Sequence, residues 1–171
     1  MVKSPDQILT NINYLVYDQT KSYTRYLFYI KKSIKINNGV NKLPKGWWML
    51  NLYKRNFENK YLTKLIKLSK LGFLPEIFVY GENYIISKFL VKYSSLNELK
   101  TKKYYLYSEN KNLIYENIIN TLEKWQMLGY AHNNLALTNI LVGPEYEIVL
   151  INPEKTNIFQ EDFDKLNIMF F

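Results

Sequence analysis

His132-Asn133-Asn134-Leu135-Ala136-Leu137-Thr138-Asn139-Ile140-Leu141-Val142, followed by Ile148-Val149-Leu150-Ile151-Asn152, is the stretch on which the fold of this chain turns. Taken by its residues alone it is a polar turn followed by an apolar β-strand that ends at Asn152. The turn contains His132, the chain's single histidine.

Ahead of the loop, Ile114, Ile118, Leu122, Trp125 and Leu128 recur at intervals of four or three, which predicts a long helix from about Ser108 to Leu128 with those side chains on its buried face. Gly129 ends it. Further back, Ser94 or Ser95 caps a short helix through Lys100. Pro75–Tyr80 and Asn83–Leu90 read as two strands about the turn Gly81-Glu82. A helix begins near Phe57, with Tyr61, Leu62, Leu65, Ile66 and Leu68 as its apolar stripe and Lys60, Lys64 and Lys67 opposite, and Gly72 stops it.

Nearer the N-terminus, Ile12–Tyr17 and Tyr23–Ile30 are rich in β-formers and flank the polar stretch Asp18–Ser22, the pattern of an antiparallel hairpin. Asn37-Asn38-Gly39 and Pro44-Lys45-Gly46 mark a loop, after which Trp47–Tyr53 reads as a third strand. Beyond Asn152 come Pro153, a polar stretch and an amphipathic segment from about Asp162 to Phe171. Periodicity alone predicts an α+β chain, strands first and helices later.

Composition narrows the chemistry. The 171 residues are 47% hydrophobic and 16% aromatic, a globular composition. With no cysteine and one histidine, disulfide scaffolds, thiolate catalysis and multi-histidine zinc sites are excluded. No apolar run is long enough to span a bilayer and Met1-Val2-Lys3-Ser4-Pro5-Asp6 lacks a signal-peptide core, so a cytoplasmic, membrane-free protein is expected. The formal charge is +8. Eleven basic residues between Lys31 and Lys70 face only Glu58, a basic region suited to nucleic acid or an acidic partner. The more ordinary reading of such a run is that the lysines coat a solvated face. The Asn, Lys and Tyr bias suggests an AT-rich genome, viral or otherwise.

From about residue 47 onward the chain resembles the protein-kinase-like superfamily, closest in style to its small RIO-like and Bud32-like members. His132 to Leu141 follows the catalytic-loop frame His-x-Asp-Leu-x-x-x-Asn-Ile-Leu, and the next strand ends where Asp-Phe-Gly belongs. Leu128-Gly129-Tyr130-Ala131-His132 matches the approach to that loop. Gly72–Ile77 is similar to the link out of helix C, Tyr84–Leu90 with Ser94–Leu99 to the fifth strand, hinge and next helix, and Asp164–Ile168 faintly to helix F. The resemblance implies two lobes: an antiparallel sheet with one helix over residues 1–90, and a reduced, mostly helical part over 91–171.

Both aspartates of the frame are amides here. In an active kinase the first accepts the proton of the attacking hydroxyl, and the second holds Mg²⁺ together with the loop asparagine. Asn139 keeps the loop asparagine. Asn134 removes the base, and Asn152 replaces a metal carboxylate with a neutral amide. The hairpin at Asp18–Ser22 lacks phosphate-binding glycines. Asn51 falls at the strand lysine, with Lys54 beyond it and Lys31 as the alternative, and Glu58 is the acid on hand for helix C.

The resemblance therefore implies a truncated pseudokinase that binds a protein partner, a kinase or kinase-associated assembly, as mimic, inhibitor or scaffold. His132, Asn134, Asn139 and Asn152 are its kinase-equivalent positions. Asn51, Glu58, Phe89, Leu90 and Leu141 outline a vestigial nucleotide cleft, with no metal and no required cofactor, open to ATP without strong Mg²⁺ dependence. Two alternatives stand beside it. One is a nucleic-acid or ribonucleoprotein-binding module using the Lys and Arg residues of 31–70. The other is an atypical phosphotransferase in which Asp162, Asp164 or Glu154 replaces the missing carboxylates.

Overall fold

The computed structural model describes residues 13–19, 21, 23–36 and 41–171. The chain is α+β, with a five-stranded antiparallel sheet and, among the described residues, four helices. It divides into two compact units, one made of the residues up to Lys70 with Pro75–Val91, the other of Leu71–Leu74 with Lys92–Phe171. The expected boundary at residue 90 falls one residue short, and the expected division did not place residues 71–74 with the second unit.

The first unit is built on its sheet. Strands β1 (Tyr14–Gln19), β2 (Tyr23–Ile30), β5 (Gly46–Tyr53), β7 (Tyr84–Lys88) and β6 (Ile77–Tyr80) lie side by side in that order. Side chains alternate across a strand, and one face collects Phe28, Ile30, Trp48, Leu50, Tyr84 and Ile86, all buried together with Leu43 and Val79. Leu43 comes from a short hairpin, β3 (Ile34–Ile36) and β4 (Asn41–Leu43), in the span expected to be a loop. The glycine turn predicted at Asn37-Asn38-Gly39 lies outside the described residues, as does the predicted strand start at Ile12.

Helix α1 (Asn59–Lys70) appears where the apolar stripe predicted it, but is rotated from the expected orientation. Its buried positions are Lys64, Leu65, Leu68 and Ser69. Lys64, assigned to the solvent face, is 2% exposed. It lies one helical turn from Leu68 and beside Leu65, so it shares their face. Ser69 Oγ donates to Pro75 O and accepts from Ile77 N, fastening the end of the helix to β6.

In the second unit, Ser95 caps α2 (Leu96–Lys102) by accepting the Glu98 N–H. Helix α3 then runs Tyr104–Met127, a turn longer at its start than predicted, burying Ile114, Ile118, Leu122 and Trp125 as the spacing required. Gly129, at φ 79°, ends it in the left-handed conformation that glycine adopts without penalty. Strands β8 (Ser94–Ser95), β9 (Ile140–Val142) and β10 (Ile148–Leu150) form a second antiparallel sheet, and α4 (Phe159–Phe170) closes the chain. No helix among the described residues is long and apolar enough to cross a membrane.

Tyr93, just before β8, hydrogen-bonds Glu147 in the β9–β10 turn. Burial, that bond and the carboxylate's charge push the phenol up to about 12. Burial pushes the Glu147 carboxyl up as well, but the Tyr93 hydroxyl and backbone amides outweigh it and hold the group below its ordinary value. The phenol's contribution to stability is therefore whole below its ordinary value of 10 and lost as pH rises through about 12. The carboxylate's contribution is whole above the ordinary glutamate range and lost as pH falls through the lowered value. Tyr93→Phe should flatten the alkaline limb and move the acid limb toward higher pH in urea midpoints measured across pH; parallel curves for the two proteins would remove the pair from the account.

Candidate functional site

The loop after α3 and the end of β10 bring together His132, Asn134, Asn139 and Asn152. His132 is fully buried against the Trp125 ring, with centroids 5.4 Å apart. Its Nε2 lies 2.9 Å from Ile151 O, and its Nδ1 accepts the Asn134 N–H at 3.3 Å. These contacts select the tautomer protonated on Nε2 and occupy both ring nitrogens. His132 is a structural tie between the loop and the end of β10.

Three amides then close a circuit. Asn134 Nδ2 donates to Asn152 O at 2.9 Å, Asn152 Nδ2 donates to Asn139 Oδ1 at 2.9 Å, and Asn139 Nδ2 donates to Asn134 O at 2.8 Å. Asn139 also donates its backbone N–H to Ala136 O and accepts the Ile151 N–H. All four of its polar groups are committed, and it is 9% exposed. The orientations fix one another. Asn139 must turn Nδ2 to a carbonyl, so its Oδ1 faces Asn152, which must answer with Nδ2. The Asn139 side-chain oxygen is thus taken up by the Asn152 amide.

Backbone shape contributes to the circuit. Asn133 and Asn152 sit at φ 55° and 59°, the left-handed region that asparagine tolerates better than most residues. The side chain of Asn133 leaves the circuit and caps α4: Oδ1 accepts the Ile158 N–H, and Nδ2 donates to Ile158 O and Glu161 Oε2. Helix α4 answers with Asp162, whose carboxylate accepts the N–H of His132 at 2.6 Å and of Asn133 at 2.8 Å. Burial raises the Asp162 carboxyl above its ordinary value, against the lowering effect of those two donors and of Lys165. Lys165, bonded to Glu161 at 2.5 Å, holds that exposed carboxyl low.

Two of the candidate substitute acids, Asp162 and Asp164, spend their carboxylates on other bonds. Asp162 is 2% exposed and turned to backbone amides. Asp164 is exposed and accepts from Gln160. Glu154 is exposed at its side chain and donates its backbone N–H to His132 O. The positioning role of Asp162 was not foreseen; the only signal for it was an acid in the first turn of the last helix.

The other expected site residues are less concentrated. In the first unit, Asn51 lies on β5 between Arg25 of β2 and Ile85 of β7. The cation beside it is Arg25, which the sequence did not single out. Arg25 is buried, 3.7 Å from Asp18 and 4.6 Å above the Tyr23 ring. Lys31 and Lys54 both fall outside the strands and are exposed. Glu58 precedes α1 instead of lying within it, and is exposed. Phe89 and Leu90 follow β7, half-buried, with Phe89 edge-on to Tyr17 at 5.9 Å. In the second unit, Leu141 pairs with Ser95 and Val149 on β9.

Neither a protein-family model nor a curated protein matches this sequence.

Asn152→Asp would set a carboxylate oxygen against Asn139 Oδ1, with Asn139 unable to turn. A loss of about 1–3 kcal/mol is expected in urea unfolding with EDTA, partly regained in millimolar Mg²⁺, whereas equal stability of the two proteins would show that the amide donor is dispensable. Asp162→Asn keeps the shape but points an NH₂ at a backbone N–H. It should cost about 1–3 kcal/mol and speed amide exchange at His132 and Asn133, and unchanged exchange would dissociate Asp162 from loop positioning.

Proposed function

We propose that this chain is a degenerate, kinase-like protein that has lost phosphoryl transfer and acts by binding a protein partner as mimic, inhibitor or scaffold. The observation that carries this reading is the closed circuit of Asn134, Asn139 and Asn152. A kinase loop needs a proton acceptor at the first of these positions and metal-facing oxygens at the other two. Here the first is an amide with no useful basicity, and the oxygen of the second accepts from the amide of the third. Mg²⁺ prefers anionic oxygen and dehydrates reluctantly, so a neutral site already closed by hydrogen bonds competes poorly for it.

Binding is supported by the outer strand of the sheet. Tyr14, Leu15, Val16 and Tyr17 of β1 are each 48–64% exposed, an apolar sheet edge of the kind that takes up a partner. A real kinase or kinase-associated assembly is the partner class that the loop resemblance suggests.

Incubation with ATP, Mg²⁺ and generic protein substrates should give no phosphoryl transfer above background. Any nucleotide-induced rise in melting temperature should be the same in Mg²⁺ and in EDTA. Mg²⁺-dependent turnover that vanishes in Asn139→Ala would overturn the proposal and return the chain to the phosphotransferases.

A further inference from the structure

The face of the five-stranded sheet opposite its buried core presents Tyr29 and Trp47. They are directly paired across β2 and β5, with ring centroids 5.1 Å apart and planes at 52°. Their sequence neighbours Phe28 and Trp48 point the other way and are 1% and 3% exposed. Tyr29 and Trp47 are 36% and 42% exposed. Alternation explains why the two pairs separate, but not why two large aromatic rings should stand side by side on the outward face. An isolated exposed aromatic is ordinary. A Tyr–Trp pair at one end of a ladder, beside a cluster of cations, is less so.

The cations come from the same strand ends. The ladder's last pair is Ile30 with Gly46. Immediately beyond it lie Lys31 and Lys32 after β2 and Lys45 before β5, all exposed. No acidic residue occurs from Gln19 to Phe57, so nothing in these strands or their connections neutralises the patch from within the sequence.

We propose that this face binds single-stranded nucleic acid, with bases stacking on Trp47 and Tyr29 and phosphates held by Lys31, Lys32 and Lys45. Exposed aromatic rings beside lysines at one end of a sheet are the elements of a stacking platform, which accepts any base because every base has a π-face. A duplex hides those faces, so the single strand is the ligand. An acidic protein would use the lysines but has no need of a paired indole and phenol. This inference is independent of the amide circuit and of the proposal built on it.

The test uses the whole chain and fluorescently labelled twelve-nucleotide oligo-U and oligo-dT, followed by anisotropy over a range of salt. Binding should weaken with salt with a log–log slope of about −2, the value for three phosphate contacts on a single strand. Trp47→Ala and Tyr29→Ala should each weaken it by about tenfold or more, Trp47→Phe should restore most of the loss, and the Lys31→Gln, Lys32→Gln, Lys45→Gln triple variant should flatten the slope. These are surface positions, and circular dichroism of each variant checks that the fold is kept. The proposal fails if neither oligonucleotide binds, if Trp47→Ala binds as tightly as wild type, or if a duplex of the same length binds better. It also fails if polyphosphate matches the oligonucleotides, which would mean charge alone, or if anionic phosphatidylserine vesicles bind and the oligonucleotides do not, which would mean a membrane surface.

Discussion

An asparagine side chain offers one good acceptor and one good donor group, and the loop after α3 uses both ends of Asn139 to hold its neighbours. Its Nδ2 fixes the carbonyl of Asn134 and its Oδ1 fixes the amide of Asn152, while its own backbone bonds close the turn at Ala136 and meet Ile151 just after β10. A buried polar group left unpaired costs more than a paired one contributes. Asn139 is the central member: removing its side chain breaks two of the three bonds, whereas removing the Asn134 or Asn152 side chain breaks one. The left-handed backbone at Asn133 and Asn152 and the orientation of His132 all serve that closure. Asp162 holds the start of the loop from the side of α4, and the Asn133 side chain holds α4 in return. Neutral amides make the circuit itself, and the Asp162 carboxylate ties it to α4.

Charge in the first unit follows a similar economy of position. Asn51 stands at the strand position where the resemblance seeks a lysine, and the nearby cation, Arg25, is already paired with Asp18 and lies over Tyr23. A guanidinium so placed is held by its own hairpin. Lys31, Lys32 and Lys45 flank the ends of β2 and β5 next to Tyr29 and Trp47 in sequence, and are exposed.

Much of this was legible in the sequence where local pattern controls structure. The period of Ile114, Ile118, Leu122 and Trp125 marked α3 and its buried face, and β-rich runs marked β2, β5 and β7. The sequence also singled out Asn134, Asn139 and Asn152 together, and the structure brings those three into one hydrogen-bonded group. What escaped depended on partners distant in sequence. Lys64 reads as a solvent lysine until the helix is rotated to bury Leu65 and Leu68. The β3–β4 hairpin sits among turn signals, and its stabilising residue is Leu43, joined to a core assembled from four other strands. Asp162 could be recognised as an acid, but its bonds to His132 and Asn133 cross about thirty residues of chain. Nor does a run of asparagines reveal that three of them close a ring of side-chain and backbone bonds.

The most direct test of the closed circuit is a titration of ¹⁵N-labelled protein with Mn²⁺, watching the side-chain amide signals of Asn134, Asn139 and Asn152 by NMR. If the Asn139 oxygen is held by the Asn152 amide, these signals should broaden no more than those of asparagines elsewhere, with or without ATP. Selective loss of the Asn139 and Asn152 signals at low Mn²⁺ would place a cation among the amides and contradict the account.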